Sequence, residues 1–317
     1  MINIQSSANK SLNIVLENTN KALQKVIKDA SPQELATLKQ SKDLGSVLES
    51  LFKNSSDSKL QNQELLQLLK NNPTLKSLGS ITTTLKEFDT LMQKTETQDK
   101  NLLKLQSLLS DKLSDIKHVD DKALKQKFEN SGIFLESKLK NDAVPKELLS
   151  NDLKATLNKT LESLQSATTA NSTEVAKHLD KLALQIDYYQ LLSHLSEKSV
   201  LYIPYSFDAL EDGSVSIKST KNKKFFCDIN LQLKEYGSLE LRLGLFEENQ
   251  LNINITAESQ DLQDLLQENL SLLKEQLFNA GLYPQNIQFL TPKDEESTLQ
   301  KYQNSMQDIQ LGFEVKA

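Results

Sequence analysis

Between Cys227 and Leu290 the spacing of apolar residues changes period once, and the change is sharp. The first half alternates. Ile229, Leu231 and Leu233 form one run, Leu239, Leu241, Leu243 and Leu245 a second, and Leu251, Ile253 and Ile255 a third, with Asn230, Gln232, Glu240, Arg242, Asn252 and Asn254 between them. Successive side chains of a pleated strand point to opposite faces, so this pattern predicts three short strands with one apolar and one wet face. Tyr236-Gly237 and Glu248-Asn249 interrupt the alternation and read as tight turns of an antiparallel meander. In the second half, Leu262, Leu265, Leu266, Leu270, Leu273 and Leu277 step by three and four, which predicts one helix with one apolar stripe. Ser259 suits its N-cap, Asp261 its positive first turn and Gly281 its left-handed end, while Pro284 bars its continuation. Ile287 and Phe289 alternate again, as in a last strand. A one-faced sheet and a one-striped helix are natural cover for each other.

Upstream the pattern is helical. Leu12 to Ile27 predicts a first amphipathic helix, and Ser31-Pro32 starts another in N-cap, N1 order. Residues 54–58 read as a loop, and 61–69 as a short helix broken by Asn71-Asn72-Pro73. Residues 81–117 carry a long helical pattern whose polar gap, 93–101, is either an exposed helical bridge or a break. A further pattern from Asp120 to Lys140 is interrupted at Ser131-Gly132, and Pro145 opens a helix through Leu164. After a linker-like patch at 166–173, Val175, Leu179, Leu182, Ile186 and Tyr189 step nearly as a heptad, with Asn171 and Glu174 spaced as a capping box. Val200–Pro204 and Val215–Ile217 read as strands, Asp212-Gly213 as the turn between them, and Lys221–Lys224 as a hairpin tip. Residues 291–317 read as a polar tail whose alternating end, Ile309 to Val315, suits a short strand.

The expected fold class is α+β: an extended helical N-terminal region, then a small C-terminal domain of antiparallel strands packed on one amphipathic helix. The divisions fall at 1–80 for short helices, 81–198 for the long helical region, 199–292 for the C-terminal domain and 293–317 for the tail.

Composition supports narrow-striped helices over one thick core: 38% of residues are hydrophobic, 6% aromatic, and Trp is absent. The net charge of -6, with both signs interspersed, gives phosphates no concentrated basic face, and Arg242 is the only arginine. Nucleic acid is therefore not an expected partner. One cysteine, Cys227, rules out an internal disulfide and fits a reducing compartment. The N-terminus lacks the charged and apolar regions of a cleaved signal, and no apolar run approaches the ~18 residues a membrane span needs.

Catalytic chemistry finds no constellation. His118, His178 and His194 stand apart from any metal-ligand spacing, and Cys227 has Asp228 rather than a base beside it. Glu247-Glu248 reads as a solvated turn, and no glycine spacing would cradle a phosphate. No enzyme activity, cofactor, metal or small-molecule substrate is expected.

The order of elements resembles the C-terminal domain of flagellar hook-length control proteins. Leu231-Gln232-Leu233 matches the opening of that family's pattern, Tyr236-Gly237-Ser238-Leu239-Glu240-Leu241 its L-G-x-V-x-V part, and Leu273-Lys274 with Leu277 and Gly281-Leu282 the end of its helix. The family's proline is missing, the loop before Gly237 is two residues shorter, and Lys274 stands where arginine is usual. The resemblance implies a non-enzymatic regulator, exported by the flagellar type III apparatus. Its C-terminal domain would switch export from hook to filament subunits by binding the cytoplasmic domain of the export-gate switch protein. Hook or hook-cap subunits are the further implied partners. The localisation implied is cytoplasmic, with secretion through the flagellar apparatus. Leu233, Tyr236, Gly237, Leu239, Arg242 and Lys274 are the candidate partner-binding residues, placed on the wet strand face and the Tyr236-Gly237 turn. As one continuous helix, residues 1–195 would reach about 290 Å; fully extended, they would reach roughly 640 Å. Either reach suits a ruler. The alternative is an intracellular helical scaffold or chaperone-like interaction protein carrying the same small domain, and an ordered N-terminal bundle would favour it.

Overall fold

A computed structural model describes residues 20–31, 58–94, 99–139, 149–165, 172–196, 198–219, 224–247 and 249–290. The first part of the helix read from Leu12 to Ile27 (residues 12–19), the helix read from Ser31-Pro32, the start at Pro145, the Lys221–Lys223 tip and the 291–317 tail lie outside them. The fold class is α+β, and the chain divides into two compact units, Met1–Lys218 and Ser219–Ala317.

The first unit holds helices α1 (Lys21–Asp29), α2 (Ser58–Asn71), α3 (Pro73–Lys76), α4 (Ile81–Gln93), α5 (Lys100–Lys112), α6 (Asp121–Glu129), α7 (Leu135–Leu139), α8 (Leu153–Gln165) and α9 (Ser172–Ser196). It also holds strands β1 (Ser199–Tyr202) and β2 (Leu210–Ser219). Side-chain caps set most helix starts. Asn20, Asn72, Ser80, Asp99 and Asp120 each accept a bond from a backbone N–H two or three residues on. Asp99 decides between the two readings of the polar gap: it starts α5 afresh, so the gap is a break. Asp152 caps the segment that begins at Leu153, so the helix read from Pro145 starts afresh there.

The centre of this unit is α9. Helices α1, α2, α4 and α8 and strand β1 all pack on it. Its fully buried Leu179, Leu182, Ile186 and Leu191 are the near-heptad positions and their neighbours. Around its C-terminal half, Leu191 and Leu195 meet Leu23 and Val26 of α1, Leu65 and Leu69 of α2, and Leu75 of α3. The described helices thus fold back on one another, and α9 packs against helices on both sides of residue 80. The Asp212-Gly213 turn is also displaced: both residues lie inside β2, and the turn is at Asp208–Ala209, with Leu210 N–H donating to Phe207 O.

The second unit holds β3 (Phe225–Leu233), β4 (Gly237–Phe246), β5 (Gln250–Ala257), helices α10 (Gln260–Glu268) and α11 (Leu270–Asn279), and β6 (Tyr283–Leu290). The sheet order is β3-β4-β5-β6. The β3–β4 and β4–β5 pairs are the expected antiparallel meander, but β6 runs parallel to β5, because the helical crossover returns the chain to the same end. Register aligns Leu231 with Leu239, Leu241 with Ile255, and Leu243 with Ile253, so the alternating leucines and isoleucines share one face. The single helix expected from Leu262 to Leu277 is two. Asn269 separates them, and its Nδ2 donates to Leu265 O, engaging a carbonyl of the preceding turn.

Candidate partner-binding surface

The β3–β4 turn spans Lys234–Tyr236 and closes on Gly237, whose φ is +75°. Only glycine enters that region at no steric cost. The turn is also tied to the far end of β5: Ser238 N–H donates to Glu258 Oε2 at 2.6 Å, and Glu258 N–H donates to Ser238 O at 2.9 Å. Ser259 follows at once and caps α10, its Oγ accepting from Leu262 N–H at 3.2 Å. One short sequence therefore fixes a turn, a strand end and a helix start together.

The two sheet faces differ in chemistry. Leu233 and Leu239 are buried on the apolar face, 6% and 7% exposed, while Leu241, Leu243 and Leu245 are half-buried. Arg242 lies on the opposite face. It is in register with Asp228 and Asn254, and its Nη2 lies 3.3 Å from Glu240 Oε2. Tyr236 is half-buried in the turn, and Lys274 is exposed on α11. The fold thus gathers Leu233, Tyr236, Gly237 and Leu239 at one sheet end and sets Arg242 and Lys274 apart on two other surfaces. Leu233 and Leu239 serve the core, while Tyr236 is half-buried in the turn.

A surface that the sequence reading passed over lies on the helix pair. No residue of α11 is buried. Leu272 is 54% exposed and Phe278 52%, with Leu265, Leu273 and Tyr283 also exposed. Phe278 and Tyr283 meet edge to face at 5.8 Å. Leu272 and Phe278 fall off the three-and-four stripe, but stripe members Leu265 and Leu273 are exposed too, so the stripe alone does not mark this surface.

Other candidate groups are structural. Burial first, and Asp228 second, push the Cys227 thiol up to about 12, which keeps it an inert thiol. His194 is buried, and burial lowers its pKa; His178 stacks on Phe88 at 6.0 Å. Among the described residues no cluster of His, Cys, Asp or Glu is placed to hold a metal ion, and no helix is long and apolar enough to cross a membrane.

Residues 214–297 match the family model of the flagellar hook-length control protein FliK. The match begins inside β2 and runs past β6, so it spans the meander, both helices and the last strand. No curated protein and no solved structure matches the chain significantly.

Proposed function

We propose that this chain acts in flagellar hook-length control. It is exported by the flagellar type III apparatus, and its C-terminal domain switches export specificity from hook to filament subunits without enzymatic chemistry. The observation that carries this reading is the family match over residues 214–297, which coincides with a complete meander, helix pair and closing strand. The partner would be the cytoplasmic domain of the export-gate switch protein. Its contact falls on the Tyr236-Gly237 turn, on Arg242 and Lys274, and on the exposed Leu272 and Phe278 of α11. Hook or hook-cap subunits would meet the helical N-terminal part during passage.

A second reading has its own observation. The described N-terminal helices form a bundle around α9, with buried polar groups paired inside it. That order suits an intracellular scaffold or chaperone-like protein carrying the same domain. The deciding experiment is secretion. Appearance of the protein in the culture supernatant, lost when the export gate is deleted, supports hook-length control. Deletion of residues 214–297 should then give overlong hooks without filaments. Strictly intracellular protein, or normal filaments in the deletion strain, would favour the scaffold.

A further inference from the structure

Strand β6 stands last in the sheet order, and among the described residues only β5 pairs with it. A strand in that place turns a row of N–H and C=O groups outward, and such a row is a template for one more strand. Natural sheets blunt these edges with charges, proline or a bulge. Here the blunting is confined to the start of the strand. Pro284 is its second residue, and Gln285 is the extra residue between the pairs Leu251–Pro284 and Asn252–Asn286. From Asn286 to Leu290 the pairing is regular, and no residue of β6 carries a charge.

The register also states what a further strand would look like. Ile287 and Phe289 lie beside Ile253 and Ile255 on the apolar face. Ile253 and Ile255 are buried, 4% and 2% exposed, whereas Ile287 and Phe289 are only half-buried. The apolar rows are therefore closed over β5 and left half-open at β6. On the opposite face Asn286 and Gln288 continue the polar rows of Asn252 and Asn254. Helix α11 packs on β6, and exposed Phe278 stacks on exposed Tyr283 at the start of the strand, so the open apolar surface runs from the helix to the edge.

We propose that the outer edge of β6, over Asn286–Leu290, receives an extended segment of the partner as an added strand. The segment matches Asn286–Leu290 in length and alternates apolar with polar residues. Its backbone fills the open ladder, and its apolar side chains cover Ile287 and Phe289. The identity of the partner rests on the proposed export-switching role; the mode of contact rests on β6 alone.

The test is amide hydrogen exchange on the full chain, alone and with the cytoplasmic domain of the export-gate switch protein as the probe. Without the probe, exchange over Asn286–Leu290 should alternate, slow where an amide faces β5 and fast where it faces outward. Saturating probe should slow the fast set at least ~10-fold and leave the slow set unchanged. Binding that slows the Tyr236-Gly237 turn or α11 and leaves the fast set of β6 as it was would overturn the added strand and keep the partner. No binding would overturn the partner and the added strand together. Uniformly slow exchange over Asn286–Leu290 without the probe, turning to alternation once residues 292–317 are removed, would put the chain's own tail in the partner's place and overturn the added strand as well.

Discussion

Glu258 and Ser238 exchange two hydrogen bonds across the open end of the β3–β4 turn, and the carboxylate that does so also fills the space beside Gly237. A Cβ built on Gly237 would meet Glu258 Oε2 at 2.3 Å. Glycine is needed there twice, for its φ and for its missing side chain. Gly237→Ala should cost about 1–3 kcal/mol, read from the denaturant midpoint. Glu258→Ala alone should cost about 1 kcal/mol. The double variant should be more stable than the sum of the two predicts, because removing Glu258 removes the clash. Strict additivity would show that the carboxylate and the glycine act independently.

Lys154 and Asp187 form a pair whose side chains are 7% and 4% exposed. Breaking such a pair strands a buried charge, so Asp187→Ala should destabilise the first unit by about 3–5 kcal/mol. Lys154→Met with Asp187→Leu should recover most of that loss. Thermal unfolding of the two variants checks both statements.

Lys112 gives a pH signature. Its ammonium is 2% exposed and donates to Lys127 O at 2.6 Å, and burial lowers its pKa to about 7, with Asp111 opposing the shift. The unfolded chain keeps this lysine protonated up to its ordinary value of 10.5, so between about pH 7 and 9 the unfolded state binds the extra proton. Stability therefore rises with pH through that window, with a slope approaching ~1.4 kcal/mol per unit. Above pH 9 the raised thiol of Cys227 and phenol of Tyr189 act the other way. Lys112→Met should flatten the rise between pH 7 and 9. An unchanged slope in that variant would assign it to another group.

The exposed face of α11 separates stability from contact. Leu272→Ser with Phe278→Ser should leave the unfolding midpoint within about 0.5 kcal/mol of the original, since neither side chain is buried. The same variant should lose the export switch, read as overlong hooks. Normal hooks from a stably folded variant would move the contact to the Tyr236 turn.

What the sequence disclosed follows from where its signals are local. Alternation from Ile229 to Ile255 placed three strands with their correct shared face, because period two needs only the chain itself. The capping residue Ser259 and the turn at Gly237 were readable for the same reason, whereas Asn72, read only as part of a break, is a cap. The break at Asn269 was not, since its side-chain bond to Leu265 O competes within an otherwise unbroken stripe. Nor was the role of Asp187. It joins Asn20 and Lys21 from one distant stretch and Lys154 from another, and no spacing along the chain announces that meeting. The candidate partner residues divided likewise: the turn glycine was legible through its conformation, whereas the exposure of Leu272 and Phe278 depends on which helix face the sheet covers.

The place of α9 in the chain order gives the first unit a mechanical direction. The helices that pack on it, α1, α2, α4 and α8, all precede it. Tension applied at the N-terminal end would strip them from a spine still in place, α1 together with its contacts to α2 and α3, and α8 together with its contact to α5. Tension applied from the C-terminal side would act on the spine itself and load every interface at once. The same bundle should therefore yield at low force when drawn from one end and resist from the other, as a zip does.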